Sequence, residues 1–323
     1  MAALTGEQVH EKALACGFDN CGIVALAELR GYGERLEERI SRIPMSSMVY
    51  DGLRGFADLK KLYPWGKAAI VTIYWLGKYK FPASLQGHFA KGFLLSPETV
   101  PESRDNQGKL RFQQWMTEQG IRWEGGEACG LSRNLPLRYA AVTAGLGIIR
   151  DNNFFYGPKG SWYELDGYII DRELVYKEDV KLPPCSPKCG LCRKACPSGA
   201  LCDIRTMNPL ACVSFTTTFG DGRPIPPTTL EQVGEWICGC EACQDACPHN
   251  KRHDWSMGED FPGLEEITDL LRPEGILAAS DEELREKVIP KTAAHLRDEQ
   301  TELLRRMARN CIANRESTAQ SRE

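Results

Sequence analysis

Cysteines at short, regular intervals constrain this sequence more than any other feature. Ten of the fourteen cysteines lie between Cys185 and Cys247. They form two runs, which read Cys185-x3-Cys189-x2-Cys192-x3-Cys196-Pro197 and Cys240-x2-Cys243-x3-Cys247-Pro248. In a reducing compartment such clusters of thiols do not build a disulfide framework, so metal binding is the default interpretation.

Both runs share the ending Cys-x2-Cys-x3-Cys-Pro, which is the ligand pattern of bacterial ferredoxins with two 4Fe-4S clusters. The two-residue gap lets the backbone wrap around one face of a cubane, and the cysteine before proline points toward the other cluster. Two zinc sites built from Cys-x2-Cys pairs are the alternative, but zinc sites need no crossed ligation. The pattern therefore favours a pair of 4Fe-4S clusters and one-electron chemistry.

Crossed ligation assigns four thiolates to each cluster. The first set is Cys185, Cys189, Cys192 and Cys247, in which the three-residue gap after Cys185 departs from the usual spacing. The second set is Cys196, Cys240, Cys243 and a fourth residue, with Cys212 as the best candidate and Cys202 and Cys238 as rivals. The remaining cysteines are expected to be small buried apolar residues, namely Cys16, Cys21, Cys129 and Cys311.

Overall composition excludes some classes of protein. The net charge of -4 gives no sign of a strongly basic nucleic-acid-binding protein. No apolar run approaches the roughly 20 residues that span a bilayer. The N-terminus shows no basic segment followed by an apolar one and no twin arginine, so we expect a cytoplasmic protein that does not bind a membrane.

The apolar pattern predicts an α+β fold in three parts. Residues 1–180 alternate helix and strand, with strands expected from Asn20 to Leu26, Ala68 to Trp75 and Tyr163 to Asp171. Pro183-Pro184 marks a boundary, after which residues 181–255 form a ferredoxin-like domain with two clusters. Residues 256–323 form a short helical segment whose longest helix is expected from about residue 293 to 312, before a frayed polar tail.

Two stretches before the cysteine runs resemble the epoxyqueuosine reductases and the related reductive dehalogenases. They are residues 137–148 (LRYAAVTAGLGI) and residues 151–162 (DNNFFYGPKGSW), and the similarity continues into residues 240–250 (CEACQDACPHN). The resemblance covers roughly residues 10–255. It implies that the first domain is a nitroreductase-like, cobalamin-binding domain with one cluster close to the cobalt.

The resemblance also implies candidate site residues. Those expected against the corrin ring are Arg138, Gly145, Leu146, Gly147, Asn152, Asn153, Gly160 and Ser161. Without the resemblance, the Gly145 turn is more simply a helix C-terminus. The family's Arg-Asp-Tyr-His segment, whose Asp donates a proton, corresponds here to Arg104-Asp105-Asn106-Gln107. Asp105 is therefore the candidate catalytic acid, and an exposed loop residue is the alternative.

The sequence thus predicts an oxidoreductase in which two 4Fe-4S clusters reduce a bound cobalamin. The electrons are expected to come from an external low-potential donor of the ferredoxin or flavodoxin type. Because the chain is acidic and its tail is short, a small molecule is expected as substrate in preference to tRNA. The alternatives are an epoxyqueuosine reductase acting on tRNA, and a non-catalytic electron-transfer protein that serves a corrinoid partner.

Overall fold

The computed structural model describes residues 4–126, 134–220, 229–251, 253–293 and 295–320. The chain divides into two compact units. The first comprises Met1–Trp75 and Val100–Ser186, and the second comprises Leu76–Thr99 and Pro187–Glu323. These units differ from the predicted boundaries, because Leu76–Thr99 joins the second unit and residues 256–323 are not separate from the cysteine region.

The described residues of the first unit form six strands, four of them in one sheet. The strands are β1 (Asn20–Ala25), β2 (Ala68–Trp75), β3 (Trp123–Gly125), β4 (Ile148–Ile149), β5 (Phe155–Tyr156) and β6 (Tyr163–Ile170). The main sheet has the order β1-β2-β6-β3, and every neighbouring pair is antiparallel. Strands β4 and β5 form a separate antiparallel pair. The mixed helix-and-sheet architecture predicted from the sequence is confirmed.

Fifteen α-helices occur among the described residues, most of them short. They are α1 (Gly6–Ala15), α2 (Tyr32–Arg42), α3 (Ser47–Tyr50), α4 (Leu59–Leu62), α5 (Lys91–Leu94), α6 (Arg104–Glu118), α7 (Leu137–Thr143), α8 (Leu191–Ala195), α9 (Val213–Thr218), α10 (Leu230–Val233), α11 (Ala242–Asp245), α12 (Thr268–Leu271), α13 (Pro273–Ala278), α14 (Asp281–Glu283) and α15 (Thr301–Gln320). None of them is long and apolar enough to cross a bilayer.

The main sheet is buried on both faces, which explains the nearly continuous apolar sequence of β2. On one face Ile70 and Tyr74 pack with Val9 and Phe112 from helices α1 and α6. On the other face, alternate residues of the same strands pack with helix α7 and with residues of the 26–63 region. Side chains on both faces of a strand must be apolar when both faces are covered.

Local caps decide where two of the helices begin. The Thr5 side chain accepts a hydrogen bond from the Gln8 N–H, and the Gln8 side chain accepts one from the Thr5 N–H, which together form a capping box at the start of helix α1. Helix α6 starts at Arg104. Ser103 caps it by accepting a hydrogen bond from the Asn106 N–H, and this brings Asp105 into the first turn.

The long C-terminal helix lies further along the chain than the sequence suggested. Helix α15 runs from Thr301 to Gln320, so residues 315–320 are helical where a frayed tail was predicted, and the last three residues lie outside the described part of the chain. Ala293 has a left-handed backbone with φ 51°, which is incompatible with a helix passing through it. The buried face of α15 includes Leu304, Met307 and Cys311.

A buried ion pair ties Leu76–Thr99 to the second cysteine run within the second unit. The Lys91 ammonium donates to the Glu241 carboxylate, and the Lys91 backbone N–H donates to the other oxygen of that carboxylate at 2.9 Å. The Lys91 side chain is 3% exposed and that of Glu241 is 1% exposed. Lys91 Nζ also lies 3.2 Å from Asp245 and 5.1 Å from the ring centre of Trp255.

Replacing Lys91 with Met tests the importance of this pair. Removing one partner of a buried ion pair leaves an uncompensated charge, so we expect Lys91→Met to lower the free energy of unfolding by about 3–5 kcal/mol. Lys80→Met is the control, because the Lys80–Asp260 pair is largely exposed and should contribute less than about 1 kcal/mol. Urea unfolding of the anaerobic full-length chain measures both. Equal losses in the two variants would contradict the role given to Lys91.

Candidate iron-sulfur centre and active site

The second unit brings four of the predicted ligand thiols into electrostatic contact. Burial raises the pKa of Cys240 and Cys243 well above the usual range, and the nearby thiols of Cys196 and Cys212 raise both further. Burial also raises the pKa of Cys212, with a further increase from Cys196. These four residues are the set predicted for the second cluster with Cys212 as its fourth member.

The two rivals of Cys212 have different surroundings. Cys202 is exposed. Cys238 is completely buried, and its backbone is held by the 76–99 segment, since its carbonyl accepts from the Ala90 N–H at 3.0 Å. Burial raises the pKa of the Cys238 thiol. Neither thiol joins the electrostatic group formed by the other four in the described structure.

Backbone N–H groups favour thiolates at two of these positions. Cys212 is the N-cap of helix α9, and hydrogen bonds from the backbones of Phe215 and Ser214 lower the pKa of its thiol against the effect of burial. The Ala242 backbone has the same effect on Cys240 at the start of helix α11. Because a helix N-terminus attracts negative charge, these cysteines are placed where metal-binding thiolates are stabilised.

The residues predicted for the first cluster fall in both units. Cys189 and Cys192 flank the start of helix α8, and Cys247 is buried just after helix α11. Helices α8 and α11 pack against each other. Cys185 belongs to the first unit, where Arg150 Nη1 lies 3.9 Å from its Sγ.

The glycines of the predicted corrin contact face protein backbone. Gly145 has φ 76°, and a Cβ added to it would lie 1.7 Å from the Glu178 carbonyl oxygen. A Cβ on Gly147 would lie 2.1 Å from the Tyr156 carbonyl oxygen. Backbone hydrogen bonds from Gly145 to Val142 and from Leu146 to Ala141 close helix α7 in a Schellman motif. The helix-end interpretation therefore accounts for Gly145 and for the buried side chain of Leu146.

The loop that follows the Gly145 turn fits a polar ligand better than the turn itself does. Asn153 has a left-handed backbone with φ 65°, and its side-chain oxygen is buried with no hydrogen-bond partner. Arg150 Nε is also buried without a partner. Asn152, Gly160 and Ser161 are buried in the same loop, and Arg138 donates to the Asn153 carbonyl. Unsatisfied buried polar atoms indicate a missing partner, and an amide-fringed corrin offers such partners.

Asp105 is buried rather than exposed in a loop, so that alternative for this residue is wrong. It lies in the first turn of helix α6 with 2% of its surface exposed, and Arg104 Nε is 3.8 Å from its carboxylate. The Tyr74 hydroxyl donates to the Asp105 backbone carbonyl at 3.1 Å. The structure therefore places the Asp105 side chain in the first turn of a helix and away from bulk water.

Sequence reasoning missed a second charged pair beneath this helix. Lys109, one turn after Asp105, lies 3.4 Å from Asp166 on strand β6, and both side chains are buried. Burial raises the pKa of Asp166, while the Lys109 ammonium opposes that rise. Asp166 is also directly opposite Thr72 in the sheet. The two acidic residues Glu164 and Asp166 inside a buried strand were the available signal for such a pair.

The predicted burial of the other cysteines holds where it can be examined. Cys16, Cys21 and Cys311 are buried. Cys129 lies outside the described residues. Seven of the eight predicted ligand cysteines are only partly buried, in contrast to Cys16 and Cys21 in the core of the first unit.

Comparison with known proteins supports the cluster region first. Residues 185–250 match the family model of a 4Fe-4S double cluster binding domain. This match includes all eight predicted ligands and supports two 4Fe-4S clusters. It does not include Lys91, which contacts the region from outside the matched segment.

Relatives with similar sequences are named epoxyqueuosine reductases. The protein from Prochlorococcus marinus (strain NATL2A) is 32% identical over 114 residues, which are 35% of this chain and 36% of the relative. The protein from Cellulophaga algicola is 26% identical over 286 residues, covering 81% of this chain and 88% of the relative. The chain thus spans only about a third of the length of the first relative.

Solved structures of epoxyqueuosine reductases share the fold. The enzyme from Streptococcus thermophilus has a TM-score of 0.74 at 19% identity, covering 95% of this chain and 80% of that one. An epoxyqueuosine reductase with an epoxyqueuosine-modified tRNA-Tyr stem loop has a TM-score of 0.70 at 21% identity, with the same coverage.

The tRNA complex corrects one prediction. The preference for a small-molecule substrate over tRNA is wrong, because a protein of this fold is solved with a modified tRNA stem loop. The preference relied on net charge, and net charge is a poor guide since only a local basic surface is needed to bind phosphates. The predicted resemblance of this chain to epoxyqueuosine reductases is confirmed, in sequence and in fold.

Proposed function

We propose that this chain is an iron-sulfur reductase that acts on epoxyqueuosine in tRNA, with two 4Fe-4S clusters and a bound cobalamin. The observation that carries the proposal is the match of residues 185–250 to a 4Fe-4S double cluster binding domain, in a chain whose relatives are named epoxyqueuosine reductases. Reduction of an epoxide consumes two electrons and two protons. Clusters that transfer single electrons and a buried acid together meet that requirement.

The proposed ligands of the first cluster are Cys185, Cys189, Cys192 and Cys247. Those of the second are Cys196, Cys212, Cys240 and Cys243. An external donor of the ferredoxin or flavodoxin type would deliver low-potential electrons to these clusters.

The proposed cobalamin site uses the loop after the Gly145 turn. Asn152, Asn153, Gly160 and Ser161 would contact the corrin, because Asn153 offers a buried oxygen without a partner. Arg138 holds this loop through the Asn153 carbonyl. Bound cobalamin supplies a cobalt centre that is reduced one electron at a time. Gly145 and Gly147 keep their structural role, and the nitroreductase-like character of the first unit remains part of this proposal.

Asp105 is the proposed proton donor. Its burial excludes water from the carboxylic acid, and the start of helix α6 fixes the position of its backbone. The Tyr74 hydroxyl anchors the Asp105 carbonyl. Lys109 and Asp166 add a charged pair one turn further along the helix, where they fix its orientation on the sheet.

The direct test of this function is reduction of an epoxyqueuosine-modified tRNA-Tyr stem loop. The protein is reconstituted anaerobically with iron, sulfide and hydroxocobalamin, and the nucleoside product is measured by mass spectrometry. The unmodified stem loop is the control. The proposal expects the iron of two clusters, an EPR signal of Co(II) and conversion of the modified base. Two clusters without cobalt retention or conversion would contradict it and favour a non-catalytic electron-transfer protein.

Replacing Asp105 with Asn tests the proton donor. General acid catalysis typically contributes about 10²–10⁴-fold to a rate, so Asp105→Asn should lower the turnover rate by at least about 100-fold while the iron content stays unchanged. Glu102→Gln is the matched control, since Glu102 is exposed and only three residues away. A turnover rate in Asp105→Asn within about threefold of the unmodified protein would rule out this role.

Three cysteine variants distinguish the candidates for the fourth ligand of the second cluster. Cys212→Ser should remove one cluster's EPR signal and about half of the iron, because a 4Fe-4S cluster needs four thiolates. Cys202→Ser and Cys238→Ser should keep the full iron content and both signals. Iron loss in Cys238→Ser with full retention in Cys212→Ser would assign the ligand to Cys238 instead.

A further inference from the structure

A group of metal-binding side chains lies in the second unit, apart from the two cysteine runs. His88, Glu235 and Cys311 place one ligand atom each within 4.8 Å of the others. The Cys311 Sγ is 3.7 Å from His88 Nδ1, and the Glu235 Oε2 is 3.9 Å from the same nitrogen. The three residues come from segments that are far apart in sequence.

These distances agree with a tetrahedral zinc site. With zinc bonds of about 2.0 Å to nitrogen and about 2.3 Å to sulfur, the two ligand atoms are about 3.5 Å apart. A nitrogen and an oxygen ligand at about 2.0 Å are about 3.3 Å apart. The observed separations of 3.7 and 3.9 Å exceed these values by about 0.2 and about 0.6 Å, which rotations of the Cys311 and Glu235 side chains would remove.

Cys311 combines full burial with polar neighbours. Its side chain has no exposed surface, and its Sγ lies 3.7 Å from His88 Nδ1. Glu274 is paired with Arg315 at 2.6 Å, so Glu235 is the carboxylate that belongs to the group. A metal ion would replace the proton of the Cys311 thiol.

A cavity beside the group provides room for a fourth ligand. Its volume is about 1120 Å³, and His88 and Glu235 are among its lining residues. Helix α15 holds the same region, because the Asn310 side chain donates to the carbonyls of Gly234 at 2.9 Å and Leu230 at 3.2 Å. Water from the cavity can therefore reach a metal whose protein ligands are fixed in position.

We propose that His88, Glu235 and Cys311 bind a zinc ion, with water as the fourth ligand. In the metal-free chain His88 Nδ1 lies 3.0 Å from the Glu235 carbonyl oxygen and donates to it. Zinc binding moves the His88 proton to the other ring nitrogen and releases one proton from Cys311. The donor set of one sulfur, one nitrogen and one oxygen suits zinc better than calcium or magnesium.

Such an ion would connect three parts of the second unit. Cys311 is on helix α15, Glu235 precedes the second cysteine run, and His88 belongs to Leu76–Thr99. The His88 carbonyl also accepts hydrogen bonds from the backbones of Ile237 and Cys238, at 2.7 and 3.2 Å. Zinc at this point would fix the segment that leads into the second cysteine run, just before Cys240.

The test begins with the full-length protein carrying its iron-sulfur clusters. After anaerobic reconstitution, zinc is added and excess zinc is removed, and metals are counted. Zinc K-edge X-ray absorption then reports the ligands. The proposal expects one zinc per chain with one sulfur and three nitrogen or oxygen neighbours. Four sulfur neighbours would show zinc in the cluster cysteines and would overturn the proposal, as would the absence of retained zinc.

Variants identify the ligands independently of the cluster ligands. Glu235→Gln and Cys311→Ser should each weaken zinc binding by at least about tenfold, measured by competition with a chromophoric chelator. Glu231→Gln is the matched control, because Glu231 lines the same cavity but lies outside the group. Unchanged affinity in Glu235→Gln and Cys311→Ser would overturn the proposal. The Glu235 side chain is 42% exposed, whereas that of Cys311 is buried, so Glu235→Gln remains informative if Cys311→Ser does not fold.

Discussion

Bringing several thiolates close together is the physical constraint on which the second unit depends. Nearby thiolates raise the pKa of a cysteine, as Cys196 and Cys212 do for Cys240 and Cys243. An iron cluster removes that penalty by binding the thiolates, and backbone N–H groups at the starts of helices α9 and α11 reduce it further. The short helices that follow the proposed ligand cysteines therefore stabilise the thiolates as well as fixing the shape of the loops.

The same principle applies to the buried charges around the proposed sites. Glu241 follows Cys240 directly, and its carboxylate is matched by Lys91, while Asp166 is matched by Lys109 near Asp105. Each pair puts a rigid salt bridge next to a residue with a proposed chemical role. Buried pairs contribute little net stability relative to apolar residues, but they hold their partners in one geometry.

Sequence reasoning succeeded where a pattern is local. The two cysteine runs, the capping box at Thr5 and the apolar strands Ala68–Trp75 and Tyr163–Ile170 all follow from neighbouring residues. It failed where partners are distant. Nothing near Lys91 in the sequence indicates Glu241, which is 150 residues away. The Gly145 turn illustrates a different limit, because a helix end and a ligand contact both favour glycine, and only the position of the Glu178 carbonyl distinguishes them.

The membership of Leu76–Thr99 in the second unit has a consequence for biosynthesis. All segments of the first unit have left the ribosome by Ser186, whereas Leu76–Thr99 must wait for residues that are made more than a hundred positions later. Until then Lys91 and Phe89 lack their native neighbours and expose surface that chaperones recognise. An isolated fragment containing only the cysteine runs would never acquire these neighbours, so a minimal electron carrier cannot be cut from this chain at a single linker.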